Sequence, residues 1–176
     1  MRAIRPLLWA GLLACSQASH AAAPGADPLA GVEELADFMA TSLAAQRVVH
    51  SMLDYCATEM GPRGNDALQA KDLWNSRNLA IVGASGNVAR AWYTAAGIPT
   101  DQISGLVTST ITSIANAAAL NHPEQRAVAA VAAGAPEDRL RACSAFSTEV
   151  NRGTQDLRVI SPKTYAFYQK YAPRKP

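Results

Sequence analysis

The chain is poor in the residue types on which enzymes most often rely. Its 176 residues include three histidines and three cysteines, with no Cys-x-x-Cys spacing to support thioredoxin-type exchange. His50 and Asp54, one helical turn apart, supply at most half a metal site, so neither a metal nor any other cofactor is expected. Aromatic residues are only 6% of the chain, while the apolar share is an ordinary 49%. Alanine does most of the apolar work, which suits closely packed helices. Between Asp101 and Glu124 no residue is charged, and from Leu157 onward there is no acid. No internal repeat, long linker or strand-rich region breaks the chain, and its length is that of a single domain.

Gly83-Ala84-Ser85-Gly86 resembles a nucleophile elbow only in outline. That motif needs glycine two residues after the serine and a strand-turn-helix setting. Here Asn87 holds the position, in the middle of a helical pattern. No acid-base or nucleophile constellation can be assembled, so the chain is expected not to be an enzyme.

The first residues read as an export signal. Arg2 and Arg5 precede a short apolar core, Leu7 to Ala14, and Ser19-His20-Ala21 offers the small residues that a signal peptidase reads. The core is too short to anchor in a bilayer. Leu12-Leu13-Ala14-Cys15 resembles the lipobox of bacterial lipoproteins, which implies acylation at Cys15 as a second processing route. Residues 1–21 are thus expected to be a signal peptide, or alternatively 1–14 a lipoprotein signal. Residues 22–31 would form a flexible tail and 32–176 a single helical domain. The protein is expected to be periplasmic or secreted, or else an outer-membrane lipoprotein that meets the membrane only through its lipid.

Loss of Arg2 and Arg5 leaves fourteen basic residues against 14 acidic ones. A balanced charge argues against a nucleic-acid partner. Either processing route leaves Cys56 and Cys143 for the fold, and an even pair in an oxidising compartment predicts a disulfide. In the chain-entropy model their wide separation contributes roughly 4–5 kcal/mol.

Helical periodicity accounts for what remains. Asp27-Pro28 suits a helix start. From there Val32, Leu35, Met39, Ser42, Gln46, Val49, Leu53, Cys56 and Met60 form one seam, ended by Gly61-Pro62-Arg63-Gly64-Asn65. The stretch from Lys71 to Ala96 is apolar most of the way round, which predicts a deeply buried helix ending near Gly97. Its stripe is Trp74, Ile81, Val88 and Trp92, flanked by Leu73, Leu79 and Val82, while Ala80, Gly83, Ala84 and Gly86 leave room for a neighbouring helix. A third helix spans Thr100 to Asn121. Shorter ones run to Ala133, from Pro136 to about Asn151, and from Ser161-Pro162 onward, the last docking Tyr165, Phe167, Tyr168 and Tyr171. The fold class is all-α, an antiparallel bundle of about five to six helices stapled by one disulfide.

Two places stand out for function. Arg77, Asn78 and Ser85 point into the apolar arc, where polar groups need partners. Arg77 is expected to pair with Asp54 or Glu59, and Asn78 to bridge helices. The alternative makes these residues, with Trp74 and Trp92, the polar end of a small ligand pocket. The second place is the uncharged face Thr108, Ser109, Thr112 and Asn116, whose lack of charge resembles an interface core. These features lead to a non-catalytic, exported helical protein that binds another envelope or extracellular protein, or a second copy of itself. An inhibitor, an immunity-like factor or an assembly component fits that description. A small-ligand carrier is the alternative, and an enzyme of unrecognised type comes third.

Overall fold

Leu35, Met39, Ser42, Val49, Leu53, Cys56 and Met60 fall on one face at intervals of three, four or seven residues and are buried along the first helix and at its end, with Gln46 half-buried between Ser42 and Val49. A computed structural model describes residues 31–172. The signal region, Cys15, the Asp27-Pro28 start, most of the expected tail, and Arg174 and Lys175 lie outside the described residues.

The described chain is all α-helical. Its elements are α1 (Val32–Glu59), a 3₁₀ turn (Gly61–Arg63), α2 (Gly64–Gly83), α3 (Ser85–Ala95), α4 (Thr100–Asn121), α5 (Pro123–Ala132), α6 (Pro136–Asn151), α7 (Leu157–Ile160) and α8 (Pro162–Tyr171). The bundle is stapled by a disulfide between Cys56 on α1 and Cys143 on α6, 87 positions apart, with Cα atoms 5.2 Å from each other.

The organising element is α1, and not the Lys71–Ala96 stretch, for which the periodicity predicts the deepest burial. α1 packs against α2, α3, α4, α5, α6 and α8. Its first half joins a core cluster with Val88, Trp92, Ile103, Val107 and Phe167. Its second half joins another with Ala67, Ala70, Trp74, Cys143, Phe146 and Val150. A helix of 28 residues is about 42 Å long, enough to run through both.

The Lys71–Ala96 stretch is two helices that meet at Ala84. Trp74, Ile81, Val88 and Trp92 are buried as the periodicity predicts, but Leu73 and Leu79 are exposed on the outer side of α2. The expected small-residue contact is also narrower. Ala80 and Gly83 are exposed, and a side chain at Gly83 would meet nothing within 4 Å. Ala84 is half-buried against the first core cluster, and Gly86 faces Ile111 of α4.

Glycine closes two helices where the chain needs left-handed backbone. At Gly97, with φ +77°, the N–H of Ile98 donates to Tyr93 O and that of Gly97 to Thr94 O. Gly153 ends α6 in the same way, with Thr154 N–H on Glu149 O and Gly153 N–H on Val150 O. This Schellman geometry satisfies carbonyls that a helix end otherwise leaves open. The last helix docks as expected: Phe167 is buried and stacks on Phe38 at 5.5 Å, while Lys163 and Lys170 remain exposed.

Candidate functional site

Trp74, Arg77 and Asn78 occupy one turn of α2 and all three reach the segment Val150–Leu157, which leaves α6 at Gly153 and re-enters helix at Leu157. The indole N–H of Trp74 donates to Gln155 O at 2.9 Å. The guanidinium of Arg77 donates through Nε to Asp156 Oδ1 at 2.9 Å and through Nη2 to Val150 O. Asn78 donates to Trp74 O at 2.9 Å and Asp156 Oδ1 at 3.1 Å, and accepts the N–H of Leu157 at 2.8 Å.

Asp156 is the most deeply buried carboxylate of this arrangement, only 1% exposed, against 25% for Arg77. Asp156 Oδ2 makes no well-aligned hydrogen bond, although Arg77 Nε approaches it at 2.8 Å and Arg158 Nη2 at 3.7 Å. A charge taken this far out of water needs its partner, so Arg77 and Asp156 hold α2 to the α6–α7 connection.

The expected partners of Arg77 are corrected. Asp54 binds Lys71, with Nζ 2.7 and 2.8 Å from its two oxygens. Glu59 binds Arg139 at 2.8 Å and accepts a hydrogen bond from Tyr55 at 3.3 Å. The reason is register. The short turn makes α2 run back along α1, so Lys71 stands opposite Asp54, and Arg77 lies about 9 Å farther along. The expectation that Asn78 bridges helices is met.

Ser85 and Trp92 do not join this constellation. The Ser85 hydroxyl donates to Val82 O at 2.7 Å, which ties it to the end of α2. Trp92 belongs to the other core cluster, edge-on to Tyr93 at 5.1 Å. Trp74 is completely buried and its only polar atom is already used. His50, the half-site candidate, turns to Asn75 at 2.7 Å and sits edge-on to Trp74. Among the described residues no cluster of three or more histidine, cysteine or carboxylate side chains could hold a metal.

The face Thr108, Ser109, Thr112 and Asn116 is exposed throughout. Along α4, Ile103 and Val107 are buried, but Ile111 is 41% exposed and Leu120, farther on, is 84% exposed. The outer side of α4 thus faces away from the core, while Ile114 on its inner side packs against the first core cluster. The stretch Thr100–Ala132 is long and apolar enough to cross a membrane by length and composition, but His122, with φ +39°, interrupts it.

A groove of about 510 Å³ escaped the sequence reading. It lies between the turn after α1, at Met60 and Arg63, and the outer face of α6, where Arg141, Ser144, Thr148 and Arg152 share one side. The 3-4-4 spacing of those α6 residues was a legible signal for a common face. Nothing local shows that Arg63 comes to face it. No protein family, curated protein or solved structure was found to match the chain.

Proposed function

We propose that this is an exported, non-catalytic helical protein that binds another protein of the envelope or the extracellular medium through the outer side of α4. The supporting observation is a surface with apolar and hydroxyl groups and no charge. Ile111 and Leu120 are exposed beside Thr108, Ser109, Thr112 and Asn116, and no charged residue occurs from Gln102 to Pro123. A solvated helix face ordinarily carries Lys and Glu. Hydroxyl and amide groups keep hydrogen-bonding capacity without the desolvation cost of charge. The Cys56–Cys143 bridge is compatible with an oxidising compartment. The small-ligand carrier is the weaker reading, because the Trp74 indole is closed to a ligand and Trp92 packs elsewhere.

The test is recovery of the tagged full chain from the envelope and medium, with identification of what accompanies it. Thr108→Glu/Thr112→Glu should leave the melting temperature within a few degrees, as surface changes do, and abolish the association. A double variant that retains its companions excludes this face. Flotation of the unmodified chain with lipid vesicles, in the absence of any protein companion, would show that lipid rather than protein covers it.

A further inference from the structure

We infer that the groove between Arg63 and α6 takes an extended, acidic segment of a protein partner. It is a second surface and does not depend on the α4 reading.

Arg141 and Arg152 stand at the two ends of one face of α6, with Ser144 and Thr148 between them. Eleven residues of helix separate the arginines by about 16 Å, and the small residues between them let a chain lie close. Arg63 borders the same groove from the turn after α1. The three guanidinium groups meet one carboxylate in the lining, Glu149, and that side chain already accepts a hydrogen bond from Gln155 Nε2 at 2.9 Å. Among the described residues no carboxylate lies within ion-pair distance of Arg63 or Arg152. Arg141 has only Asp138, at 3.3 Å and as exposed as itself.

Solvated arginines alone would not make a site. The second observation is Ser147. It is buried, its hydroxyl has no hydrogen-bond partner, and it lines a 130 Å³ polar hollow that shares Met60, Ser144 and Thr148 with the groove and carries one carboxylate of its own, Asp66. A helical serine or threonine can return its proton to the preceding turn, and Thr148 does so to Ser144 O at 2.9 Å. Ser147 does not. A buried hydroxyl without a partner is costly, and a turn of the Ser147 side chain into the hollow would let a backbone carbonyl of a bound segment satisfy it.

Ligand class follows from these dimensions. A single phosphate cannot span the two arginines. An extended chain advances about 3.3 Å per residue, so about five residues cover the distance, and carboxylates at that spacing would each meet a guanidinium in the geometry arginine favours. The contacts are solvent-exposed, so binding is modest and weakens with salt.

The experiment measures fluorescence anisotropy of a fluorescein-labelled hexaglutamate peptide with the full chain at low ionic strength. Saturable binding is expected, weakened about tenfold by Arg141→Gln/Arg152→Gln and little changed by Arg90→Gln/Lys163→Gln, which removes equal charge elsewhere. Ser147→Ala should weaken binding severalfold without lowering the melting temperature. Absence of saturable binding overturns the proposal, as does equal weakening by both arginine and control pairs. Displacement of the peptide by millimolar inorganic phosphate would overturn it in favour of a small-anion site.

Discussion

Asn78 and Leu157 are joined across 79 positions: the carboxamide oxygen accepts the backbone N–H at 2.8 Å. The same carboxamide donates to Trp74 O and Asp156 Oδ1, so one side chain holds the start of α7 against the middle of α2. Asn78→Asp keeps the size and the acceptor but loses both donors, and it sets a second carboxylate where the first stands 3.1 Å away. We expect a loss of about 2–4 kcal/mol near neutral pH. Two carboxylates so close cannot both ionise, which raises one folded-state pKa above its unfolded value. The penalty therefore shrinks as pH falls through that raised value. Denaturant unfolding of both proteins at neutral and mildly acidic pH tests this, and a pH-independent difference would contradict it.

Arg77 and Asp156 should respond unequally. Arg77→Ala strands a buried carboxylate and should cost about 3 kcal/mol. Asp156→Asn leaves an arginine that already touches water and can hydrate, so about 1–2 kcal/mol is expected. Chemical denaturation of the two variants decides the order. Equal losses would mean that the pair does not carry the connection in the way described.

Gly64 admits no side chain. A Cβ there would lie 2.1 Å from Ala57 O, a backbone atom that cannot step aside. Gly64→Ala must open the turn between α1 and α2 and should cost about 3 kcal/mol. Gly83→Ala is the control: its Cβ meets nothing, and at the end of a helix with ordinary backbone it should stabilise by about 0.5–1 kcal/mol. Thermal melts of both variants should move in opposite directions.

Alkaline titration should single out Tyr55. Burial pushes its hydroxyl above the usual tyrosine range, and Glu59 adds to this while Arg139 opposes it. Folding favours the neutral form, so this contribution is whole below about pH 10 and is lost as pH rises through the folded-state value. The parent should therefore lose stability more steeply than Tyr55→Phe in that window. The variant should also lack a tyrosinate step above the usual tyrosine range in ultraviolet absorbance.

Sequence alone determined the elements and their inward faces. Spacing of three and four residues placed Leu35, Met39, Leu53 and Cys56 on one seam, and the same rule buried Trp74, Ile81, Val88 and Trp92. Gly97 and Pro136 marked helix boundaries because their backbone chemistry permits little else there. Pairing Cys56 with Cys143 needed no coordinates, since the reading of the first residues as an export signal left only these two cysteines for the fold. Tertiary structure decided what periodicity cannot express. The helix wheel is blind to a break at Ala84, because a helical residue there serves a continuous helix equally well. It is blind also to how far α2 slides along α1, and that offset gives Lys71 to Asp54 and sends Arg77 to Asp156. Asp156 lies in a connection with no repeat of its own, and nothing near it in sequence marks it as a buried carboxylate. The same long-range register brings Arg63 to the groove beside Arg141 and Arg152, a proximity set by the packing of α1 on α6 and by no pattern within either.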